Sequence, residues 1–335
     1  MDSTVPGVVE RRVIARLGAH QWRPAERAAV IAAIAIVLGS LFVLSYTLAL
    51  GDPVPRKIDA ALVGNAGAAP ETVAALQGVA HDSLEFTSYP STAAALAALD
   101  RQQVYAALDL SAARPTLYLA SAAGASVSRV LQRVDEVDPG VRVIDMHPLA
   151  AGDPNGLDIF YLMLVCTIIG FITVFQVRAQ ASGLPLHHWS AFVVAFAIVA
   201  ALAVTLVEVG LGRVPVPIAE TWGILALQIL AVASFASTAI VLAGRWAIVP
   251  TWLFFVILGN SSSGGAVAPP LLPRPFAIIS QWLPSGASVD ALRNAVYFSD
   301  HQHLQPFAVL VGWAVLLFAA MVVASRRLRI SPGGV

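Results

Sequence analysis

The stretch Ala28–Leu50, AAVIAAIAIVLGSLFVLSYTLAL, carries no charge over 23 residues. A helix rises about 1.5 Å per residue and a bilayer's hydrocarbon core is about 30 Å thick, so about 20 apolar residues cross it. The stretch is too long for a signal-peptide core, and no convincing cleavage site stands before Gly51-Asp52-Pro53. We read it as a retained first span. Five further segments read the same way: about 157–177, 189–208, 222–242, a short one at 246–258, and 306–324.

The rest of the composition agrees. Of 335 residues, 58% are apolar and 12% charged, against roughly 25% charged in ordinary soluble domains. Mean hydropathy is +0.76. That excludes a conventional soluble enzyme. Lys+Arg and Asp+Glu are 20 each, so the chain lacks the basic surplus that nucleic-acid binding needs. The single cysteine, Cys166, allows neither an internal disulfide nor a cysteine-based zinc site.

Arginine placement gives orientation. With six spans, one side holds Arg11, Arg12, Arg16, Arg23, Arg27, Arg178, Arg245, Arg326, Arg327 and Arg329 against Asp2, Glu10 and Glu26. The other side holds ten basic residues against 17 acids. This predicts six crossings with both termini cytoplasmic. The expected organisation is a cytoplasmic tail (1–27), the first span (28–50), an extracytoplasmic domain (51–156), spans two to six (157–324) and a second cytoplasmic tail (325–335). The alanine and arginine bias, with one lysine among 20 basic residues, is consistent with a GC-rich bacterial genome, and the expected home is a bacterial plasma (inner) membrane. Val9, Val13 and Leu17, with arginines around them, predict an amphipathic helix over Val8–Trp22 that lies on the membrane or serves as a topology signal.

The segment 51–156 holds 12 acids and seven bases and reads as an α/β domain. Strands are expected at Ile58–Gly64, Leu84–Tyr89, Val104–Leu110, Thr116–Ala120 and Val141–Ile144. Helices are expected from Pro70, from Thr92 with Ser91 as cap, and over Ser126–Val137. The fold class is therefore an α-helical membrane protein with six transmembrane helices and one external α/β domain between the first two.

Thirteen residues at 246–258 reach only about 20 Å as a helix. The fifth helix is therefore expected to break near Asn260–Gly265, with short external helices at 276–283 and 287–298 within 259–305. Broken backbone at membrane depth survives only inside protein or beside a wet cavity.

No chemistry of an enzyme emerges. Asn260-Ser261-Ser262-Ser263-Gly264-Gly265 has Ser263 where a nucleophile elbow needs glycine; a helix C-terminus turned by glycine explains it better. There is no phosphate-binding G-x-x-x-x-G-K motif, no dinucleotide fingerprint and no H-E-x-x-H. His301 and His303, or His187 and His188, have too few neighbouring ligands to predict a metal site. No cofactor is expected in this chain. Glu208 ends the third span and Gln228 sits within the fourth; both are candidate polar groups on a substrate path. The first alternatives are a local ion pair around Glu208 and Arg213, and an interhelical hydrogen bond for Gln228. Asp290 and Arg293, three apart on a helix, read as a local pair.

Several stretches resemble a known family. They are Gly152-Asp153-Pro154-Asn155-Gly156-Leu157, the run Gly259–Pro269, and Trp282-Leu283-Pro284-Ser285-Gly286-Ala287 with Asp290, Leu292, Arg293, Tyr297 and Phe298. Val104–Leu108 and Pro115–Gly124 match more loosely. With the architecture, they resemble the ABC-2 type transporter permease superfamily, being most similar to its YhgE/Pip (phage infection protein) and DUF3533 group. Two features depart from that pattern: no proline interrupts Ser261–Ser263, and the external domain lacks a long coiled-coil insert. The resemblance implies a dimeric exporter permease half, homo- or heterodimeric. It implies a separate ATPase partner that alone uses ATP, a cargo that is a lipid, envelope precursor or drug, and contact with membrane lipid. The motif residues it singles out are Asn260, Ser263, Gly264, Gly265, Pro269, Pro284, Gly286, Asp290 and Arg293. A second reading is an ATPase-independent envelope scaffold or receptor that binds a partner through the external domain.

Overall fold

The computed structural model describes residues 23–181 and 183–327. The amphipathic segment Val8–Trp22 and the tail beyond Arg327 lie outside them. Two compact units divide at Val43/Leu44. In the first, helix α1 (Pro24–Leu50) begins. Its Ile31, Ile36, Val37 and Val43 are exposed, as befits a helix that is apolar all round.

The second unit holds a helical bundle and an α/β assembly. The long helices are α6 (Asp158–Gln180), α7 (Leu186–Leu211), α8 (Ile218–Ala243) and α12 (Leu304–Arg327). With α1, five helices among the described residues are long and apolar enough to cross a membrane, which marks an α-helical multi-pass membrane protein. The remaining apolar element, α9 (Ile248–Asn260), is shorter. It runs four residues as α-helix and nine, Trp252–Asn260, as wider π-helix. Pro250 within it has no N–H to donate.

Helix α8 is central, packing against α6, α7, α12 and the short α11 (Pro284–Tyr297). Met163, Cys166, Ala201, Leu225, Ile229, Leu292 and Leu310 meet in this core. Small residues bring helices close: a Cβ at Gly170 would lie 3.0 Å from the Val232 side chain. Outward-facing Val199, Leu206, Val207, Val315 and Leu316 are exposed.

The α/β assembly comprises β1 (Ile58–Val63), α2 (Pro70–Val79), β2 (Leu84–Tyr89), α3 (Thr92–Asp100), β3 (Ala106–Asp109), β4 (Thr116–Leu119), α4 (Ala125–Gln132), α5 (Val134–Val137) and β5 (Arg142–Asp145). The five strands lie in the order β2-β1-β3-β4-β5, with only β3 and β4 antiparallel. The expected helix over Ser126–Val137 is divided at Arg133, whose N–H bonds to Val130, three residues back. Ser91 caps α3, accepting from the Ala94 N–H at 3.3 Å.

Alternation along the strands makes two cores. Ile58, Ala60, Leu62, Ala106 and Leu108 face Leu76, Val127 and Leu131 on one side. Ala61, Val63 and Ala107 face Ala95, Ala98 and Leu99 of α3 on the other. Neither core is confined to 51–156. The first includes Ala268 and Leu271, and the second includes Phe298.

Asp109 ends β3 and gathers three donors: the Ser111 N–H (2.8 Å), the Ser111 hydroxyl (2.6 Å) and the Thr92 hydroxyl (2.5 Å). Burial opposes ionisation here, but the donors outweigh it and hold the carboxyl below the usual carboxylate range. A depressed folded-state pKa stabilises above the unfolded value, and that stabilisation fades as pH falls through the folded value. Asp109→Ala should cost about 1 kcal/mol at neutral pH, read as a lower unfolding temperature. The gap between wild type and variant should shrink below about pH 4; an undiminished gap at low pH would contradict this account.

Candidate functional site

The site forms where α9 stops. A helix end leaves carbonyls without intrahelical donors, and inside an apolar phase such groups need protein partners. Here serine hydroxyls serve the Ile257 carbonyl and add to the Ser262 and Ser263 N–H groups that already donate to the Leu258 and Asn260 carbonyls. The Ser261 hydroxyl donates to Ile257 O (2.5 Å), Ser262 to Leu258 O (2.6 Å) and Ser263 to Asn260 O (2.9 Å). Ser45, from α1, adds a bond to Ile257 O (2.8 Å) and lies 3.0 Å from the Ser261 hydroxyl. All of these serines and Asn260 are buried.

The chain then turns. Gly264 has φ +74°, a region that disfavours side chains. Gly265 packs flat on Phe160, whose ring carbon would lie 2.7 Å from an added Cβ. Pro269 opens a 3₁₀ turn, Pro269–Leu271, and approaches Gly264.

Helix α11 locks the turn. Pro284 stands at its first position, where a missing N–H costs nothing. Gly286 lets its backbone meet the preceding helix α10 (Arg274–Ser280): an added Cβ would fall 1.9 Å from the Ser280 carbonyl oxygen. Further along α11, Arg293 donates to Asp290 Oδ1 (2.8 Å) and to the Gly264 carbonyl (3.1 Å). The expected local pair is present, and its cation also binds a carbonyl 29 residues away in sequence. The Arg293 side chain is only 11% exposed.

Beyond the turn the loop ties into the α/β assembly. The Ala268 N–H donates to the Ser126 hydroxyl (2.9 Å). The Arg56 N–H and guanidinium donate to the Pro270 and Leu271 carbonyls, each at 3.1 Å. Gln102 bonds Asn294 of α11 at 2.7 Å.

Asn260, Ser263, Gly264, Gly265, Pro269, Gly286, Asp290 and Arg293 therefore form a connected structure around the end of α9. Glu208 and Gln228 make their contacts elsewhere. Gln228 makes the expected interhelical bond, to the Thr167 hydroxyl at 2.9 Å. Arg213 pairs with Asp158 at 3.0 Å rather than with Glu208, whose Oε1 has no hydrogen bond among the described residues. His303 bonds the Arg101 carbonyl at 2.6 Å. Among the described residues no group of three or more His, Cys, Asp or Glu is placed to hold a metal. The capping by Ser261 and Ser262 and the role of Ser45 go beyond what the sequence pattern indicates. A serine run directly after a short apolar helix is the available signal.

No family model, curated protein or solved structure matches this chain.

Gly286→Ala should destabilise the protein by about 1–3 kcal/mol or more, since a backbone carbonyl must move. Gly312→Ala in α12 has nothing within 4 Å of the new Cβ and should be neutral or slightly stabilising. Unfolding temperatures of the detergent-purified variants test the contrast; equal behaviour would refute the close approach of α10 and α11.

Proposed function

We propose that the chain is the membrane permease subunit of an ABC-2 type exporter, working as a dimer with a separate ATPase and moving an amphipathic lipid, envelope precursor or drug. In this reading the chain crosses a bacterial plasma membrane six times. Both termini are cytoplasmic, the α/β assembly is outside, and α9 with its following loop completes the fifth crossing. The observation that carries the reading is the end of α9: a helix too short to span, capped by buried serines and continued by a loop that enters the α/β core.

Charge supports the same placement. Asp158 opens α6 and Glu220 lies in the first turn of α8, at the end of the bundle nearest the α/β assembly. Arg178 lies in the last turn of α6, and Arg245 follows α8. An outer acidic end and an inner arginine end follow the positive-inside rule.

The connections suggest how movement would spread. Ala268 and Leu271 pack in one sheet core and Phe298 in the other. A shift of α9 or α11 therefore displaces the external assembly. An ATPase would drive export only by favouring one arrangement of these elements over another. The same ties weigh against the scaffold reading, in which an α/β unit on free tethers would suffice.

The test is reconstitution with the ATPase encoded beside the gene. Proteoliposomes should export a fluorescent phospholipid analogue or lipophilic dye on ATP addition and stop when ATP is removed. Failure of any ATPase to co-purify, with cellular activity indifferent to ATP depletion, would overturn the proposal.

A further inference from the structure

Where α4 meets the approach to α6, the surface opens into a chamber of about 200 Å³. Ser121, Ala125, Arg129, Gln132, Asp145 and Leu149 are among its walls. Beneath it lies a second space of about 20 Å³, room for about one water molecule. The two share Ser121, Ala125 and Leu149, and the lower one reaches Gly264, Arg293 and Tyr297 of the site at the end of α9.

The chamber holds one cation and one anion that do not satisfy each other. Among the described residues Arg129 donates only to neutral groups: Nε to the Ala125 carbonyl (3.2 Å) and Nη1 to Asn155 Oδ1 (3.5 Å). Asp145 uses Oδ1 to accept from the Ser121 and His147 N–H groups, at 3.1 and 3.2 Å. Its Oδ2 has no hydrogen bond among the described residues. The Ser121 residue is 7% exposed, yet its hydroxyl also has no partner among them. The first amides of α4, at Ala125 and beyond, have no acceptor within the helix and favour a negative group.

A purely anionic ligand would meet Asp145, and a purely cationic one would meet Arg129. A ligand with both charges satisfies both. We propose that the chamber binds a zwitterionic group. Its phosphate or carboxylate lies against Arg129, the Ser121 hydroxyl and the start of α4, and its primary ammonium lies against Asp145 Oδ2. Pro154 in the chamber wall stands four residues before the start of α6. That puts the chamber at the level of a lipid headgroup if α6 is a span. This deepens the exporter reading by naming the polar part of its cargo. Its test is equilibrium binding without ATP, so either proposal can fail alone.

The full chain, purified in an uncharged maltoside detergent, is titrated calorimetrically with phosphoethanolamine. Inorganic phosphate, ethanolamine and phosphocholine, whose quaternary nitrogen has no N–H for Asp145, serve as comparators. Phosphoethanolamine should bind at least about tenfold more tightly than each, and Arg129→Gln and Asp145→Asn should each weaken it by about tenfold or more. The Asp145→Asn variant keeps an acceptor for the two backbone N–H groups, and circular dichroism checks that both variants stay folded. A short-chain phosphatidylethanolamine that binds more tightly than phosphoethanolamine identifies a lipid source; equal affinities identify a soluble zwitterion. Binding no better than the comparators, or unchanged in both folded variants, would overturn the proposal.

Discussion

A helix that ends in a buried place must find donors for its last carbonyls within the protein, because water is excluded there. That constraint organises this protein. Helix α9 is too short to cross a hydrocarbon core, and its end is closed from two directions. Ser261, Ser262 and Ser263 turn their hydroxyls back onto Ile257, Leu258 and Asn260. Arg293 reaches from α11 to the carbonyl of Gly264. Its planar fork binds Asp290 through one terminal nitrogen and the Gly264 carbonyl through the other.

The same closure sets the course of the chain beyond it. The left-handed turn at Gly264 and the prolines from Pro269 lead the loop away from α9, and Ala268 and Leu271 become core residues of the sheet. Phe298, at the end of α11, does the same on the opposite face. With α2 and α4 on one face and α3 on the other, strands β1 and β3 are covered on both faces, which explains apolar residues such as Ala60, Ala61, Leu62 and Val63 in succession. The α/β assembly and the bundle share packing as well as tethers.

Local pattern is enough for much of this. The alternation of Leu84-Glu85-Phe86-Thr87-Ser88-Tyr89 coincides with β2, and Ser91 caps α3 as its spacing before Thr92 suggests. The Asp290–Arg293 pair also follows from helix geometry, and the polar Gln228 within an apolar helix signals an interhelical bond without naming Thr167 as its partner. What escapes depends on residues far apart in sequence. Ser45 meets Ser261 across 216 positions, and Ala268 packs in the core of a sheet whose last strand ends at Asp145. The π-helical winding of α9 leaves no signature beyond Pro250 and the run of bulky residues after it. At the candidate site, glycine and proline positions are legible because backbone geometry demands them. The serines read only as part of a turn, because the folded chain alone shows which carbonyls they meet.

If α9 and its loop carry the chain fully across the membrane, an even number of crossings leaves both ends inside and the α/β assembly outside. Lys57 is the only lysine of the chain and its side chain is 60% exposed. In intact cells, an impermeant amine reagent should modify Lys57. A cysteine introduced as Ser331→Cys should react with an impermeant thiol reagent only after permeabilisation. Reaction at position 331 from outside together with Lys57 would mean an odd number of crossings, and reaction at position 331 from outside with Lys57 modified only after permeabilisation would invert the molecule; either result contradicts the account.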